Sequence, residues 1–180
     1  ISTFPMKGTR VKENEESREF LLRDEKESAE HATITDLLRN DLGMVCNGVE
    51  VSRYRYVDEI RTTGKTLLQV SSEIRGRLLE VYRDRPGTVL GKILPAGSVT
   101  GAPKDKTVEI IKETEDYERG WFTGIMGVCD GHTIDTGVMI RFVEQENGGL
   151  WFKSGGGITF KSRAREEYNE MIQKIYVPVS

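Results

Sequence analysis

Cysteine is scarce in this chain: Cys46 and Cys129 are the only two in 180 residues, and neither sits in a CxxC or CxxH spacing. That excludes a disulfide scaffold and a cysteine-based zinc site, and it fits a reducing cytoplasmic compartment. Long apolar runs are also lacking. Nothing approaches the roughly 20 consecutive residues that span a bilayer, so no membrane partner is expected. Charge of one sign is missing too, because 26 basic and 29 acidic residues are interspersed and the net charge is -3. Without a polybasic footprint, nucleic acid is not an expected partner. No charged segment leading into an apolar stretch follows Ile1, so no signal peptide is expected, and a start at Ile rather than Met suggests a fragment. The GxxxxGK[ST] order of a P-loop is absent as well.

What is present suffices for a core. At 37% hydrophobic residues the chain reads as one soluble globular domain, or a large piece of one, over 1–180. A strand-like start gives way after Gly8 to a charged stretch over 14–40, in which Phe20, Leu21, Ile34, Leu37 and Leu38 recur at helical spacing, predicting one or two helices. Val49, Val51, Tyr54, Tyr56 and Val57 predict a strand, with another over 67–74 and a loop at Pro86-Gly87. Pro103 suits the first turn of a helix that ends near Asp116. Over 121–160 the pattern predicts three strands, with Asp130-Gly131 and Asn147-Gly148-Gly149 as hairpin turns. The spacing of Ala164, Tyr168, Met171 and Ile175 predicts a last helix over 164–176 with a buried stripe. Hairpins beside helices that do not alternate strictly with strands indicate an α+β fold with antiparallel sheet.

Several residues carry chemistry. Lys7, in the run Pro5-Met6-Lys7-Gly8-Thr9, is an amine held beside Gly-Thr, a candidate nucleophile or else an ordinary lysine in a turn. Glu167, Glu170 and Lys174 fall in one row of the last helix, bordering its apolar stripe, and Glu27 and Glu30 repeat the i, i+3 spacing earlier. Two such helices could hold a hard divalent cation, because magnesium takes one or two protein carboxylates and fills the rest with water and substrate oxygen. Taken singly, each pair also suits a solvated helix face. Thr100-Gly101-Ala102-Pro103-Lys104 gathers backbone N–H groups, a hydroxyl and a cation near a helix start, a setting for a carboxylate or phosphate. Arg141 ends a strand-like run and could grip a carboxylate bidentately, or form a surface ion pair. The run Gly155-Gly156-Gly157 suggests close approach of a ligand, or a bulge.

These segments together resemble the chorismate-utilising enzymes, collinearly over nearly the whole chain. The resemblance rests on Pro5-x-Lys7-Gly8-Thr9, Glu30-His31 followed by Asp36-Leu37-x-Arg39-Asn40-Asp41-Leu42-Gly43, and Gly97-Ser98-Val99-Thr100-Gly101-Ala102-Pro103-Lys104 with Glu109-Ile110-Ile111. It continues through Arg119-Gly120-Trp121-Phe122-Thr123-Gly124, Asp135-Thr136, Ile140-Arg141, the triple glycine, and Glu167-Tyr168 with Lys174. The family includes anthranilate, isochorismate, salicylate and aminodeoxychorismate synthases. Lysine in the first run resembles the aminodeoxychorismate synthase branch, where anthranilate synthases generally carry alanine.

The resemblance implies a partial copy of a two-sheet chorismate-binding domain that uses magnesium and chorismate, with ammonia from a glutamine amidotransferase partner or from free ammonium. It implies Lys7 as covalent nucleophile, Glu30 and Glu170 as metal ligands, and Glu27 and Glu167 as holders of the metal's waters. Arg141 and Phe122 would hold the enolpyruvyl carboxylate, although many relatives carry tyrosine at the aromatic position. Thr100 and Gly101 would line the ring, Gly155, Gly156 and Gly157 would offer N–H groups, and Lys104 and Lys174 would supply positive charge. Gln69 stands where many relatives have a histidine, and its amide could still bond the 4-hydroxyl of the substrate. Lys161-Ser162-Arg163-Ala164 departs from the usual acidic, Ser, Pro, Glu run. The family's general acid, in a Ser-Pro-Glu motif upstream of the lysine run, falls before Ile1. Anthranilate or isochorismate synthesis, and a non-catalytic chorismate-binding role, remain as alternatives.

Overall fold

A computed structural model describes residues 1–61, 64–159, 162–173 and 175. The chain divides into two compact units, Ile1–Glu113 and Thr114–Ser180.

In the first unit, β1 (Ser2–Thr3) and β2 (Met6–Val11) lead into α1 (Ser17–Arg23) and α2 (Glu25–Gly43). Helix α2 starts where Asp24 caps it, its Oδ1 accepting the Glu27 N–H at 3.0 Å. Strands β3 (Cys46–Arg61) and β4 (Thr66–Leu78) form a long antiparallel hairpin. β4 is central, since β1, β2 and β3 all pair with it antiparallel. The sixteen residues of β3 pair with thirteen of β4, so β3 bulges at three places while β4 runs regularly.

That regular strand carries the core. Leu68, Val70, Ser72 and Ile74 recur at period two and are all buried. Leu68 and Val70 pack with Leu21 of α1, and Ile74 packs with Leu42, Val45, Cys46 and Val89. Val89 belongs to α3 (Pro86–Ile93), a helix where the sequence predicts a loop. Pro86 opens it, as proline does at a first helical position, and Val89 with Ile93 at i, i+4 turns inward. Two further helices follow, α4 (Gly97–Thr100) and α5 (Lys104–Thr114).

Among its described residues the second unit holds four strands rather than the three expected, arranged as two separate hairpins. β5 (Ile125–Cys129) pairs with β6 (Ile134–Val138), and β7 (Arg141–Glu146) with β8 (Gly149–Ser154). The Asn147-Gly148 turn between β7 and β8 has φ of 51 and 77°, the positive pair that a two-residue type I′ turn requires. Helix α6 (Ala164–Gln173) closes the described part of the unit. Of its expected buried stripe, Ala164, Tyr168 and Ile175 are exposed and Met171 is half-buried. Two-stranded hairpins offer too little surface to cover it within the unit. The folds of both units are helices with antiparallel strands, as α+β patterning predicts.

Candidate functional site

The lysine run lies on a bulge. Met6 pairs with Ser71 and Thr9 with Gln69, so Lys7 and Gly8 together stand opposite Val70 alone. Gly8 has φ +89°, and a Cβ there would come within 3.3 Å of Glu27 Oε2 and 3.4 Å of Leu21. Glycine thus serves two needs at this point, a left-handed backbone and the close passage of a carboxylate. Lys7 Nζ lies 2.7 Å from Glu30 Oε2, and both side chains are about two-thirds covered (31% and 28% exposed).

Helix α2 brings the acids to this strand. Glu27 and Glu30 are three residues apart, and Glu27 Oε2 is buried without a hydrogen-bond partner. Burial pushes the Glu27 carboxyl above the ordinary carboxylate range against the pull of the Lys7 ammonium, and the charges of Glu30 and Asp24 add to the rise. His31, next along α2, is fully buried and was not picked out from the sequence as a site residue. Its signal was there, because His31, Thr35, Leu38 and Leu42 form the i, i+4, i+7, i+11 stripe of the helix. His31 Nε2 lies 2.7 Å from Ser72 Oγ, which also accepts the Arg55 backbone N–H at 2.9 Å. Tyr54 meets the imidazole edge to face at 5.9 Å. Burial holds the ring below the ordinary histidine range, the Lys7 backbone partly offsets this, and the Arg55 charge adds to the fall.

The glycine-rich run 97–104 is tied to the other end of α2. Asp41, nearly buried, accepts the Gly97 N–H through Oδ2 at 2.9 Å and pairs through Oδ1 with Lys104 Nζ at 2.7 Å. Lys104 Nζ also donates to the Ile93 carbonyl at 2.7 Å, so this ammonium is engaged by the protein itself. Thr100 is buried and its hydroxyl turns to the Gly101 carbonyl at 3.1 Å; Gly101, at φ +75°, ends α4. Gln69, read from the sequence as a substrate contact, donates through Nε2 to the Gly8 carbonyl at 2.9 Å and accepts the Thr9 hydroxyl through Oε1 at 2.6 Å.

Within the second unit, Phe122 and Gly155 come together: a Cβ on Gly155 would stand 2.9 Å from Phe122 Cζ. Arg119 holds that aromatic from behind, its guanidinium 5.6 Å from the ring centroid, and is fixed by Glu115 at 2.7 Å and Thr123 Oγ1 at 3.0 Å. Arg141 is exposed and pairs in register with Ser154, which sets it beside the start of the triple glycine. Glu167 accepts the Ser162 hydroxyl at 2.7 Å, and its other oxygen is the nearest atom to a Cβ on Gly156, at 3.9 Å. Gly157 has open space around it, Glu170 is exposed on α6, and Lys174 lies outside the described residues.

The four carboxylates expected to serve a metal therefore divide two and two between the units. Among the described residues no group of three or more His, Cys, Asp or Glu side chains converges on one point. The first pair still suits a hard cation, because Glu27 keeps a buried, unpartnered oxygen beside Glu30, and magnesium asks for only one or two protein carboxylates.

Comparison with known proteins identifies the setting. A profile of the family described as chorismate binding enzyme matches residues 1–180. The chain belongs to the chorismate-binding enzyme family. It is 52% identical over 179 residues to an uncharacterized PabA-like protein of Pasteurella multocida, covering 99% of this chain and 55% of that protein. It is 33% identical over 184 residues to aminodeoxychorismate synthase component 1 of Bacillus subtilis, covering 98% of this chain and 38% of that one. Among solved structures, anthranilate synthase component I from Streptococcus pneumoniae matches at 34% identity with a TM-score of 0.80, over 96% of this chain and 38% of that one. The chain thus spans about half or less of the length of the relatives it matches. Among chorismate-binding enzymes, overall identity to a named synthase does not separate the branches here, since 33% and 34% are equivalent.

Proposed function

We propose that the protein carrying this chain is an aminodeoxychorismate synthase component I, which converts chorismate and ammonia to 4-amino-4-deoxychorismate. One observation supports this above the others: an amine on a strand bulge, Lys7, meets Glu30 of the Glu27–Glu30 acid pair, and one oxygen of Glu27 is buried. The Lys7 nitrogen bonds to ring carbon 2, both ring double bonds shift by one position, and the 4-hydroxyl leaves as water with a proton from an acid outside this chain. Ammonia then bonds to carbon 4, the double bonds shift back, and the Lys7 nitrogen leaves carbon 2.

Lys7 must be neutral to attack. A free lysine with a pKa near ~10.4 is neutral in well under ~0.1% of molecules at pH 7, and a useful fraction needs a drop of about 3 units, roughly 4 kcal/mol. Burial of Lys7 would supply such a drop, and a bound cation nearby would add to it. Magnesium, held by Glu30 with Glu27 on its waters, would neutralise the ring carboxylate of the substrate. Phe122 against Gly155, with Arg141 at the same end of β8, would orient the enolpyruvyl group. The ammonia would come from a glutamine amidotransferase or from ammonium.

The test is product analysis of the whole protein with chorismate, magnesium and ammonium. Aminodeoxychorismate is expected, and its formation should stop in Lys7→Ala. Anthranilate or isochorismate as product would overturn the assignment, and unchanged output from Lys7→Ala would overturn the covalent step.

A further inference from the structure

Gln69 occupies a position that invites a role in contacting substrate, yet both ends of its amide are used on one short stretch of β2. Nε2 donates to the Gly8 carbonyl at 2.9 Å and more weakly to the Val70 carbonyl at 3.3 Å, while Oε1 accepts the Thr9 hydroxyl at 2.6 Å. These partners flank the bulge. Where Lys7 and Gly8 crowd opposite Val70, the regular ladder between β2 and β4 is interrupted. At that point the Gln69 side chain donates to the Gly8 carbonyl. Strand alternation also separates it from the lysine: β4 is regular, Val70 carries the buried face with Leu68 and Ser72, and Gln69 therefore belongs to the opposite face. Lys7 meets Glu30 of α2, and Gly8 abuts Glu27 of the same helix.

We infer that Gln69 is a positioning residue that clamps the Gly8–Thr9 bulge from behind and so fixes the aim of Lys7, and that it does not bind the substrate. This rests on Lys7 being the nucleophile where turnover is concerned, but the clamp itself can be read without turnover.

Gln69→Leu keeps the approximate size of the side chain and removes both hydrogen bonds. In the whole protein it should lower kcat by about 10- to 100-fold, the scale of a small misplacement of a reacting group, with KM for chorismate changed less than about threefold. A large rise in KM with kcat retained would overturn the inference in favour of a substrate contact. Gln69→Glu gives a sharper readout. Ionised, it repels the Gly8 carbonyl; protonated, its O–H restores the donor while the other oxygen still accepts from Thr9. The ratio of its kcat to the parent's should therefore rise several-fold as pH falls from 8 to 5.5, and a flat ratio would overturn the clamp. Finally, the rate at which trinitrobenzenesulfonate modifies Lys7, mapped by peptide mass spectrometry without substrate, should rise at least threefold in Gln69→Leu while other lysines keep their rates. An unchanged Lys7 rate would overturn the inference. If Lys7→Ala retained aminodeoxychorismate formation, the proposed function would fall, yet this substrate-free rate would still decide the clamp.

Discussion

Two ionisable side chains one turn apart on α2, half-buried Glu27 and fully buried His31, titrate with opposite consequences for stability. The Glu27 carboxyl is raised by burial, so between the ordinary carboxylate pKa near ~4.3 and its folded value the native state holds more protons than the unfolded chain. Its contribution is present at acid pH and is lost as pH rises through that window. Glu27→Gln, measured by urea unfolding with a chelator present, should be more stable than the parent at pH 7, with the difference vanishing below the carboxylate range. The His31 ring is lowered by burial, so the unfolded chain takes up the proton first. Stability from the neutral ring is present above the ordinary histidine pKa near ~6.5 and lost as pH falls through the folded value. Replacing His31 should flatten the pH dependence between 7 and 5, and an unchanged slope would remove His31 from this role. Gly155→Ala belongs to the same scale. Its Cβ would press on the Phe122 ring from 2.9 Å, so it should raise KM for chorismate more than it lowers kcat.

At the scale of elements, the tie between α2 and the run 97–104 is a nearly buried charge pair, and breaking one side leaves the other uncompensated. Asp41→Asn should cost about 2–4 kcal/mol, read as a fall in the unfolding midpoint. Lys104→Met should be milder, since Asp41 retains the Gly97 N–H. The elements themselves were largely legible in the sequence. Helical spacing marked α2, alternation marked β3 and β4, and Asn147-Gly148 marked its turn because φ above zero at two successive residues narrows the choice of side chain. The helix at 86–93 was not legible, since Pro86-Gly87 carries the signal of a turn and only the packing of Val89 and Ile93 on the core decides for a helix. The site was legible as residue types but not as bonds. That Lys104 pairs with Asp41, 63 positions earlier, and that Gln69 bonds to Gly8 and Thr9 at the bulge are not readable from either residue's neighbours in the sequence. Period and spacing describe one element at a time, whereas such pairings depend on register between elements.

Across the whole molecule, hydrophobic burial is uneven. Every buried hydrophobic residue among those described belongs to the first unit, while the second unit leaves Trp121, Met126, Val128, Leu150 and Trp151 between 59% and 75% exposed. Residues 1–180 prepared as a separate polypeptide should bind a hydrophobic dye and self-associate at micromolar concentration, and Trp151→Glu should reduce both. Lack of dye binding by light-scattering-pure material would show that these side chains are covered some other way. The regularity of β4 has a consequence of another kind. Its neighbours absorb every irregularity of register, three on β3 and one on β2, so the buried row from Leu68 to Ile74 acts as a fixed ruler. Over evolutionary time, single-residue insertions can accumulate on the flanking strands and re-aim side chains there without disturbing the core. A one-residue slip in β4 would turn its whole buried row to the other face. New chemistry in such a scaffold is expected to arise beside β4 rather than within it.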